Sequence, residues 1–285
     1  MTQVTNPTQP VSSVTLPGGG SNIVGLGADN RLNGSAGNDI ILTFGANDVV
    51  AGGGGNDLII TGGGNDSVGG GDGNDTILSG SGNDVVAGGT GDDFIFGGKG
   101  NDLVDGGDGN DLISGDRGND TVLGGSGSDT VFGGQGSDVV GGGDGNDSLF
   151  GGKENDTVDG GSGNDFISGD RGADVLTGGA GSDTFYFFSS GGDYGVDTIT
   201  DFAPGEDKIR LKQGGVFSGL GSTFEASEFV VVSNFNAANA GATGTNKLVY
   251  DPTNGTLYFN GSNGVLTVAQ LQPGLTITSN NFELF

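Results

Sequence analysis

The most regular feature of this 285-residue sequence that could support chemistry is a set of aspartates spaced nine residues apart. Each ends a short glycine-rich phrase such as GGDGND or GGSGSD, and the spacing holds without a slip across residues 34–186. Carboxylates repeated in this way are candidate ligands for a hard cation. The 17 candidate metal ligands are Asp39, Asp48, Asp57, Asp66, Asp75, Asp84, Asp93, Asp102, Asp111, Asp120, Asp129, Asp138, Asp147, Asp156, Asp165, Asp174 and Asp183.

An apolar residue follows each of these aspartates two positions later, which predicts the element that positions the carboxylate. A repeat should consist of a six-residue glycine-rich loop and a three-residue strand whose central side chain points inward. No helical periodicity runs through the region. The predicted inward residues are Ile41, Val50, Ile59, Val68, Ile77, Val86, Ile95, Val104, Ile113, Val122, Val131, Val140, Leu149, Val158, Ile167, Leu176 and Phe185.

A second periodicity indicates how the strands are arranged. The inward residue alternates between Ile and Val from Ile41 to Val122. This alternation predicts that two repeats form one turn of a solenoid, with successive strands in opposite sheets. Two upstream segments keep the frame with a neutral residue at the aspartate position, Ser21 and Asn30. We expect these segments to be capping coils that lack the acid.

The predicted stacking brings the carboxylates close together. Equivalent loops in successive turns would lie at the strand spacing of about 4.8 Å, where two unit charges repel by roughly 0.9 kcal/mol even in water. Over 17 carboxylates, this repulsion rivals a typical stability of about 5–15 kcal/mol. A divalent cation between loops reverses the effect, and carboxylate and carbonyl oxygens suit Ca²⁺ better than Zn²⁺ or Cu²⁺. The sequence therefore predicts up to about 15 interior Ca²⁺ sites and folding that depends on calcium.

The phrases GGDGNDLIS, GGKGNDLVD and GGSGSDTVF resemble the GGxGxDxUx nonapeptide of the RTX (repeats-in-toxin) family, whose repeats bind Ca²⁺. The resemblance implies an all-β, right-handed parallel β-roll in which the loop Asp and backbone carbonyls of neighbouring loops hold Ca²⁺. Ala46 and Glu154 depart from the pattern by replacing the fourth-position Gly, and the phrases TFGAND and TGGGND lack the leading Gly. The implied sites near those loops match the family pattern less well.

The C-terminal region extends the likeness. Residues 196–211 resemble the D-x-I-x-D-F-x-x-G-x-D-x-I-x-L phrase that follows the roll in secreted RTX proteins. Asp197, Asp201 and Asp207 are candidates either for a terminal ion site or for structural turns and caps. The final NNFELF resembles the ending of type I secretion substrates. The likeness thus implies export of the unfolded chain by the type I secretion machinery and folding outside the cell.

Composition argues against several classes of function. The 36 acidic and nine basic residues give a formal charge of −27, which disfavours nucleic acid and anionic membranes as partners. The absence of Cys and His removes disulfides, thiolate metal sites and the commonest general base. No apolar run could span a membrane, and the N-terminus does not resemble a signal peptide. The roughly 33 residues before the first full repeat are too few for a catalytic domain, so we expect no enzyme activity.

The outward-facing positions suggest an interaction surface. Odd-numbered repeats carry larger apolar pairs, such as Phe94 and Phe96, than even-numbered ones, which predicts an apolar stripe on one sheet. Either the terminal regions of the chain cover this stripe, or it supports self-association or docking on a partner. Binding of a polysaccharide through Phe side chains, Tyr186 and Tyr194 is an alternative. A single Thr at the third loop position argues against an ice-binding ladder.

Three segments are predicted: residues 1–33 as tail and capping coils, 34–186 as the calcium-binding roll, and 187–285 as a β-rich C-terminal capping domain. The last should contain the secretion signal and a hairpin around Asn254 and Gly255. The predicted function is that of a secreted, non-catalytic protein, extracellular or at the cell surface, which folds on binding several Ca²⁺ ions and has a structural or interaction role. The alternatives are a polysaccharide-binding or adhesion module of a matrix or surface layer and, with less support, the remnant of an RTX hydrolase or protease.

Overall fold

The repeat region of the protein consists of short parallel β-strands, one for each nine-residue repeat. The computed structural model describes residues 2–4, 19–20, 22–188, 195–212, 217, 219–220, 224–236, 238–262 and 264–285. Single 3₁₀ turns lie at Ala226–Glu228, Ala240–Ala242 and Ser279–Asn281. Within the described ranges no helix is long and apolar enough to cross a membrane. The chain divides into two units, Met1–Leu149 and Phe150–Phe285.

The first unit consists of two parallel sheets whose strands alternate along the chain. Its strands are β1 (Thr2–Val4), β2 (Asn22–Val24), β3 (Arg31–Asn33), β4 (Ile40–Leu42), β5 (Val49–Gly54), β6 (Leu58–Gly63), β7 (Ser67–Asp72), β8 (Thr76–Ser81), β9 (Val85–Thr90), β10 (Phe94–Lys99), β11 (Leu103–Asp108), β12 (Leu112–Arg117), β13 (Thr121–Ser126), β14 (Thr130–Gln135) and β15 (Val139–Asp144). Sheet A has the order β1-β2-β4-β6-β8-β10-β12-β14, and sheet B has the order β3-β5-β7-β9-β11-β13-β15. Strands 18 residues apart pair in register, so that Ile95 lies opposite both Ile77 and Ile113.

The second unit continues the same pattern and then changes it. After β16 (Ser148–Lys153), its strands are β17 (Thr157–Ser162), β18 (Phe166–Arg171), β19 (Val175–Ala180), β20 (Thr184–Phe187), β21 (Asp197–Ile199), β22 (Lys208–Leu211), β23 (Phe229–Val231), β24 (Lys247–Asp251), β25 (Thr256–Gly261), β26 (Gly264–Gln270) and β27 (Phe282–Leu284). One set pairs in the order β18-β20-β22-β27, and the other in the order β17-β19-β21-β26-β25-β24-β23. Strands β24 and β25 are antiparallel around a turn that ends at Gly255, where φ is +81°. The predicted hairpin is therefore confirmed.

The inward positions form the core of each unit. All 17 predicted inward residues are buried, and none has more than 4% of its surface exposed. Ile23 and Leu32 in the upstream coils are also fully buried and lie opposite Ile41 and Val50. The predicted all-β parallel roll, with two repeats per turn, is confirmed.

The strands are longer than predicted. Each strand from β5 to β19 has six residues rather than three, because the pairing continues past the inward residue into the glycine-rich segment. Gly53 lies opposite Gly71, for example, and Gly54 lies opposite Asp72. The second glycine of the phrase turns the chain within this run, since φ is +112° at Gly53, a region that glycine enters without steric penalty.

The exposed apolar side chains are not confined to one sheet, contrary to the predicted stripe. In the first unit, sheet A exposes Ile40, Leu78, Phe94, Leu112 and Phe132. Sheet B exposes Val49, Val85, Leu103, Leu123 and Val139 to a similar degree. The size difference between odd and even repeats does not decide exposure, because the flanking positions point outward on both sheets.

Candidate metal centre

In each unit, the predicted aspartates lie in two rows. One row belongs to the loops that lead from sheet A to sheet B, and the other to the loops that lead back. Each aspartate is buried, with 1–3% of its surface exposed. The first row follows strands of sheet A, and in the first unit it contains Asp48, Asp66, Asp84, Asp102, Asp120 and Asp138. The second row follows strands of sheet B, and there it contains Asp39, Asp57, Asp75, Asp93, Asp111, Asp129 and Asp147. In the second unit, Asp156 and Asp174 have first-row positions, and Asp165 and Asp183 have second-row positions.

One carboxylate oxygen of most of these aspartates connects neighbouring loops. The backbone N–H of Asp93 donates to Oδ1 of Asp111 at 2.7 Å, and that of Asp120 donates to Oδ1 of Asp138 at 2.8 Å. The same bond recurs every 18 residues, including the one from Asp39 to Asp57. These bonds fix the rotamer of each carboxylate and aim its second oxygen at one place in the loop.

The second oxygen, Oδ2, is buried without a hydrogen bond in much of both rows. This holds for Asp48, Asp57, Asp66, Asp75, Asp84, Asp93, Asp102, Asp111, Asp120, Asp129 and Asp174. A buried anionic oxygen without a partner is costly, and its usual remedies are protonation or a cation. These oxygens are therefore the strongest candidate cation ligands in the described part of the chain.

A backbone carbonyl converges with Oδ2 beside the first glycine of the phrase. A methyl group added to Gly70 would lie 2.3 Å from Oδ2 of Asp75 and 2.5 Å from the carbonyl oxygen of Gly88. The two oxygens are thus less than about 5 Å apart, within reach of one ion whose ligand bonds are about 2.3–2.6 Å. The same pair of oxygens surrounds Gly52, Gly88, Gly97, Gly106, Gly115, Gly124, Gly151 and Gly160.

Three first-row loops fill this space with a hydroxyl. Thr43, Thr61 and Ser79 replace the first glycine. Thr61 Oγ1 donates to the carbonyl oxygen of Ser79 at 2.8 Å, and the Thr43 and Ser79 hydroxyls make equivalent bonds to the next loop at 2.7 Å. The carbonyl that would otherwise face a cation is satisfied by a proton donor at these loops.

The electrostatics agree with a site that needs a cation. Burial, with added repulsion from neighbouring carboxylates of the same row, raises the pKa of several aspartates from 3.8, although a backbone N–H partly offsets the rise. The pKa of Asp93 rises to about 7. Those of Asp75, Asp84, Asp102, Asp120 and Asp129 rise to about 6. A divalent cation beside these carboxylates would stabilise their ionised form and lower their pKa again.

The two departures at the fourth loop position keep the loop conformation. Ala46 and Glu154 have φ values of +76° and +79°, the left-handed region that the glycine at this position occupies elsewhere, as at Gly55. A side chain in that region costs roughly 1–2 kcal/mol. The loops of Asp48 and Asp156 therefore adopt the same conformation as the other loops, but with a strained backbone.

A second ladder, made by the residue before each aspartate, was not predicted. The backbone N–H of Asn83 donates to Oδ1 of Asn65 at 2.8 Å, and that of Asn101 donates to Asn83 at the same distance. These bonds run toward the N-terminus, opposite to the aspartate bonds, and they lie on the exposed side of the loop. Asn, Asp or Ser precedes 16 of the 17 aspartates, with Ala173 the exception, and this recurrence is the sequence signal that could have revealed them.

The three C-terminal aspartates make the contacts of structural caps. Asp197 accepts a hydrogen bond from the N–H of Asp174, and Asp207 accepts one from that of Asp183. Asp201 accepts bonds from two backbone N–H groups, those of Gly178 and Gly179. Burial and the nearby Asp174 carboxylate raise the pKa of Asp197 to about 8. Asp197 and Asp207 therefore extend the two rows to the last coils of the second unit.

Among the residues described, no three carboxylates meet as they do in a metal site made of side chains alone. The candidate sites instead combine single carboxylates with backbone carbonyls of the neighbouring loop. An array of such hard oxygen ligands can bind Ca²⁺.

Known proteins share these repeats. The family model for the RTX calcium-binding nonapeptide repeat (4 copies) matches residues 18–43, 24–59, 42–77, 78–113, 105–140, 114–149, 141–176 and 159–187. No curated protein matches the chain in sequence. A solution structure of the AlgE6R3 subunit from the Azotobacter vinelandii mannuronan C5-epimerase is 24% identical over 60% of this chain and 77% of its own, with a TM-score of 0.30. Because the repeat matches extend over residues 18–187, more than half of its length, this chain belongs to the RTX calcium-binding nonapeptide repeat family and is a calcium-binding β-roll protein.

Proposed function

We propose that this protein is exported unfolded, folds outside the cell when it binds several Ca²⁺ ions, and then acts as a non-catalytic structural or interaction element. One observation carries the proposal. A buried Asp Oδ2 without a hydrogen-bond partner lies close to the backbone carbonyl of the next loop. Each ion would be held between two loops of the same row, by residues such as Asp75 and Gly88 in the second row. The repeat count would allow up to about 15 such sites, but the hydroxyls of Thr43, Thr61 and Ser79 already occupy three of them.

Calcium is proposed to control folding because the backbone bonds to Oδ1 leave the buried Oδ2 of the same carboxylate without a partner. At free calcium about tenfold above the dissociation constant, each occupied site adds roughly 1.4 kcal/mol to the free energy of unfolding. Ten such sites would contribute about as much as the whole stability of a typical domain. We therefore expect the metal-free roll to be unfolded at neutral pH.

Export before folding is supported by the placement of the C-terminal segment. Phe282–Leu284 forms β27, which pairs with β22, and Glu283 forms an ion pair with Arg210 at 3.8 Å. The last residue, Phe285, stacks on Tyr186 with ring centroids 4.3 Å apart. A secretion signal in this segment would be accessible to the type I machinery only while the second unit is unfolded.

Recognition of a polysaccharide has less support. Tyr186, one of the proposed stacking residues, already packs against Phe166 and Phe285 at 5.0 and 4.3 Å. Tyr194 lies outside the described residues. An interaction role at the cell exterior is therefore better sought on the outer faces and edges of the roll.

A calcium titration followed by far-UV circular dichroism tests the proposal. We expect a disordered spectrum in EDTA and a cooperative gain of β-structure at about 0.1–1 mM Ca²⁺, the range of extracellular calcium modules. Mg²⁺ at equal concentration should be much less effective, because it is smaller and loses its water reluctantly. A β-rich spectrum in EDTA that calcium leaves unchanged would contradict the proposal.

A further inference from the structure

The third position of the glycine-rich phrase segregates charge between the two edges of the roll. First-row loops carry four of the chain's nine basic residues at this position and no acid, namely Lys99, Arg117, Lys153 and Arg171. Second-row loops carry three acids and no base, namely Asp72, Asp108 and Asp144. Nothing in the candidate calcium sites requires this difference, because the third-position side chains of the first unit are exposed and the metal ligands are buried.

In the first unit, this pattern creates two charged edges. The basic edge consists of Lys99, Arg117 and Gln135, which lie opposite one another in adjacent strands of sheet A. The acidic edge consists of Asp72, Asp108 and Asp144, separated along sheet B by Thr90 and Ser126. Because consecutive loops join the sheets in opposite directions, the two edges lie on opposite sides of the unit. Spacings are about 4.8 Å between the basic residues and about twice that between the acids.

The basic edge has the capacity to accept a partner. Lys99 and Arg117 line a surface cavity of about 290 Å³ together with Gly80, Gly98, Asp116 and Gln135. Asp116 accepts a hydrogen bond from the hydroxyl of Ser114 at 2.6 Å. In the described part of the chain, neither Lys99 nor Arg117 forms an ion pair or a side-chain hydrogen bond. The positively charged side chains of Lys99 and Arg117 thus lie close together, and Asp116 is the one acidic residue beside them in this cavity.

We propose that a second copy of this chain docks side by side, with its acidic edge on the basic edge of the first. Asp108 is nine residues from both Lys99 and Arg117, which is half a turn of the roll. When two parallel rolls lie level with each other, Asp108 of one copy therefore falls between Lys99 and Arg117 of the other. The shared strand spacing keeps the remaining turns in register.

The proposed contact is heterologous, so every added copy leaves one acidic and one basic edge free. Contacts of this kind produce open rows rather than closed dimers. Association requires the folded roll and is expected only with calcium, because the metal-free chain carries a formal charge of −27. The inference needs a calcium-dependent fold but does not depend on secretion.

Complementary charge reversal of the full-length protein tests the interface. One variant reverses the basic edge with Lys99→Glu and Arg117→Glu, and a second reverses the acidic edge with Asp72→Lys, Asp108→Lys and Asp144→Lys. A third variant carries Arg117→Glu alone, and its control is Arg31→Glu, which changes the net charge equally from an exposed site on β3, away from both edges. Sedimentation velocity at millimolar Ca²⁺ reports mass, and circular dichroism reports folding in the same samples.

We expect the wild type to associate in a concentration-dependent way that weakens as salt rises from about 0.1 M to 1 M. Each edge variant alone should have an association at least about tenfold weaker, whereas Arg31→Glu should behave as the wild type. An equimolar mixture of the two edge variants should associate again, because each retains the edge that the other has lost. A folded wild type that stays monomeric, or variants that associate unchanged through the apolar faces, would overturn the inference. A chain that calcium does not fold would contradict the proposed function instead.

Discussion

The adjacent glycines Gly69 and Gly70 provide a matched test of the candidate sites. A methyl group on Gly70 would lie 2.3 Å from Oδ2 of Asp75 and 2.5 Å from the carbonyl oxygen of Gly88. One residue earlier, a methyl group on Gly69 would meet no atom within 4 Å. Both glycines lie in β7 and neither has a left-handed φ. The substitutions Gly70→Ala and Gly69→Ala therefore add the same group, but only the first fills the proposed ion site.

The expected effects have opposite signs. At Gly69, alanine should stabilise the protein by up to about 1 kcal/mol, because it restricts the unfolded chain at a compatible backbone conformation. At Gly70, overpacking should cost about 1–3 kcal/mol. Loss of one ion should remove a further 1.4 kcal/mol or so at tenfold saturation. Gly70→Ala should thus lower the free energy of unfolding in calcium by about 2–4 kcal/mol.

Isothermal titration calorimetry and denaturant unfolding in saturating calcium measure the two quantities. Gly70→Ala should bind about one Ca²⁺ fewer than the wild type, and Gly69→Ala should bind the same number. The reasoning is refuted if the two variants bind equal numbers of ions and unfold at the same denaturant concentration. In that case the carbonyl of Gly88 and Oδ2 of Asp75 do not share an ion.

Two further predictions concern the same rows. Thr61→Gly should raise the number of bound Ca²⁺ ions by about one in calorimetry, because it removes the hydroxyl bonded to the carbonyl of Ser79. Thr61→Ser keeps a hydroxyl and should bind as many ions as the wild type. An unchanged number of ions in the glycine variant would contradict this prediction. In EDTA, lowering the pH from 8 to 5 should promote β-structure, because burial raises the pKa of Asp75 and Asp84 to about 6 and that of Asp93 to about 7. The folded chain then binds more protons than the unfolded one. The stability gained from protonating these carboxylates is therefore fully present below about pH 4 and is lost as the pH rises through 6–7. A spectrum in EDTA that does not change with pH would argue against buried carboxylates as the obstacle to folding.

The periodicity of the sequence was enough to predict the sheets and the rows of aspartates. One apolar residue in every nine, at positions such as Ile95 and Val104, determines which side chain points inward, and this choice sets the register of every loop. The strand length was missed because glycine carries no strand propensity. The six-residue strands arise from pairing between glycine segments of successive turns, as between Gly53 and Gly71, which a single repeat does not reveal.

The hydroxyl loops and the asparagine ladder could not be predicted for a different reason. The loss of the leading Gly at Thr43 and Thr61 was visible in the sequence, and that at Ser79 equally so. Whether a side chain there weakens a site or satisfies the neighbouring carbonyl depends on a distance between turns, 2.7–2.8 Å in these loops. The direction of the bond from Asn83 to Asn65 likewise depends on which loop lies above the other.

The two oxygens of each aspartate have separate roles, and the first coil shows why both matter. Asn30 stands at the aspartate position, where its backbone N–H and its Nδ2 both donate to Oδ1 of Asp48, at 2.6 and 2.9 Å. As an amide, it continues the ladder of backbone bonds without adding a charge. A ladder of asparagines could therefore connect the turns, but it would place no anionic oxygen beside the carbonyl of the next loop. Aspartate at the 17 following positions maintains the same connection and leaves Oδ2 for a cation, which under the proposed function would make the stability of the roll depend on calcium.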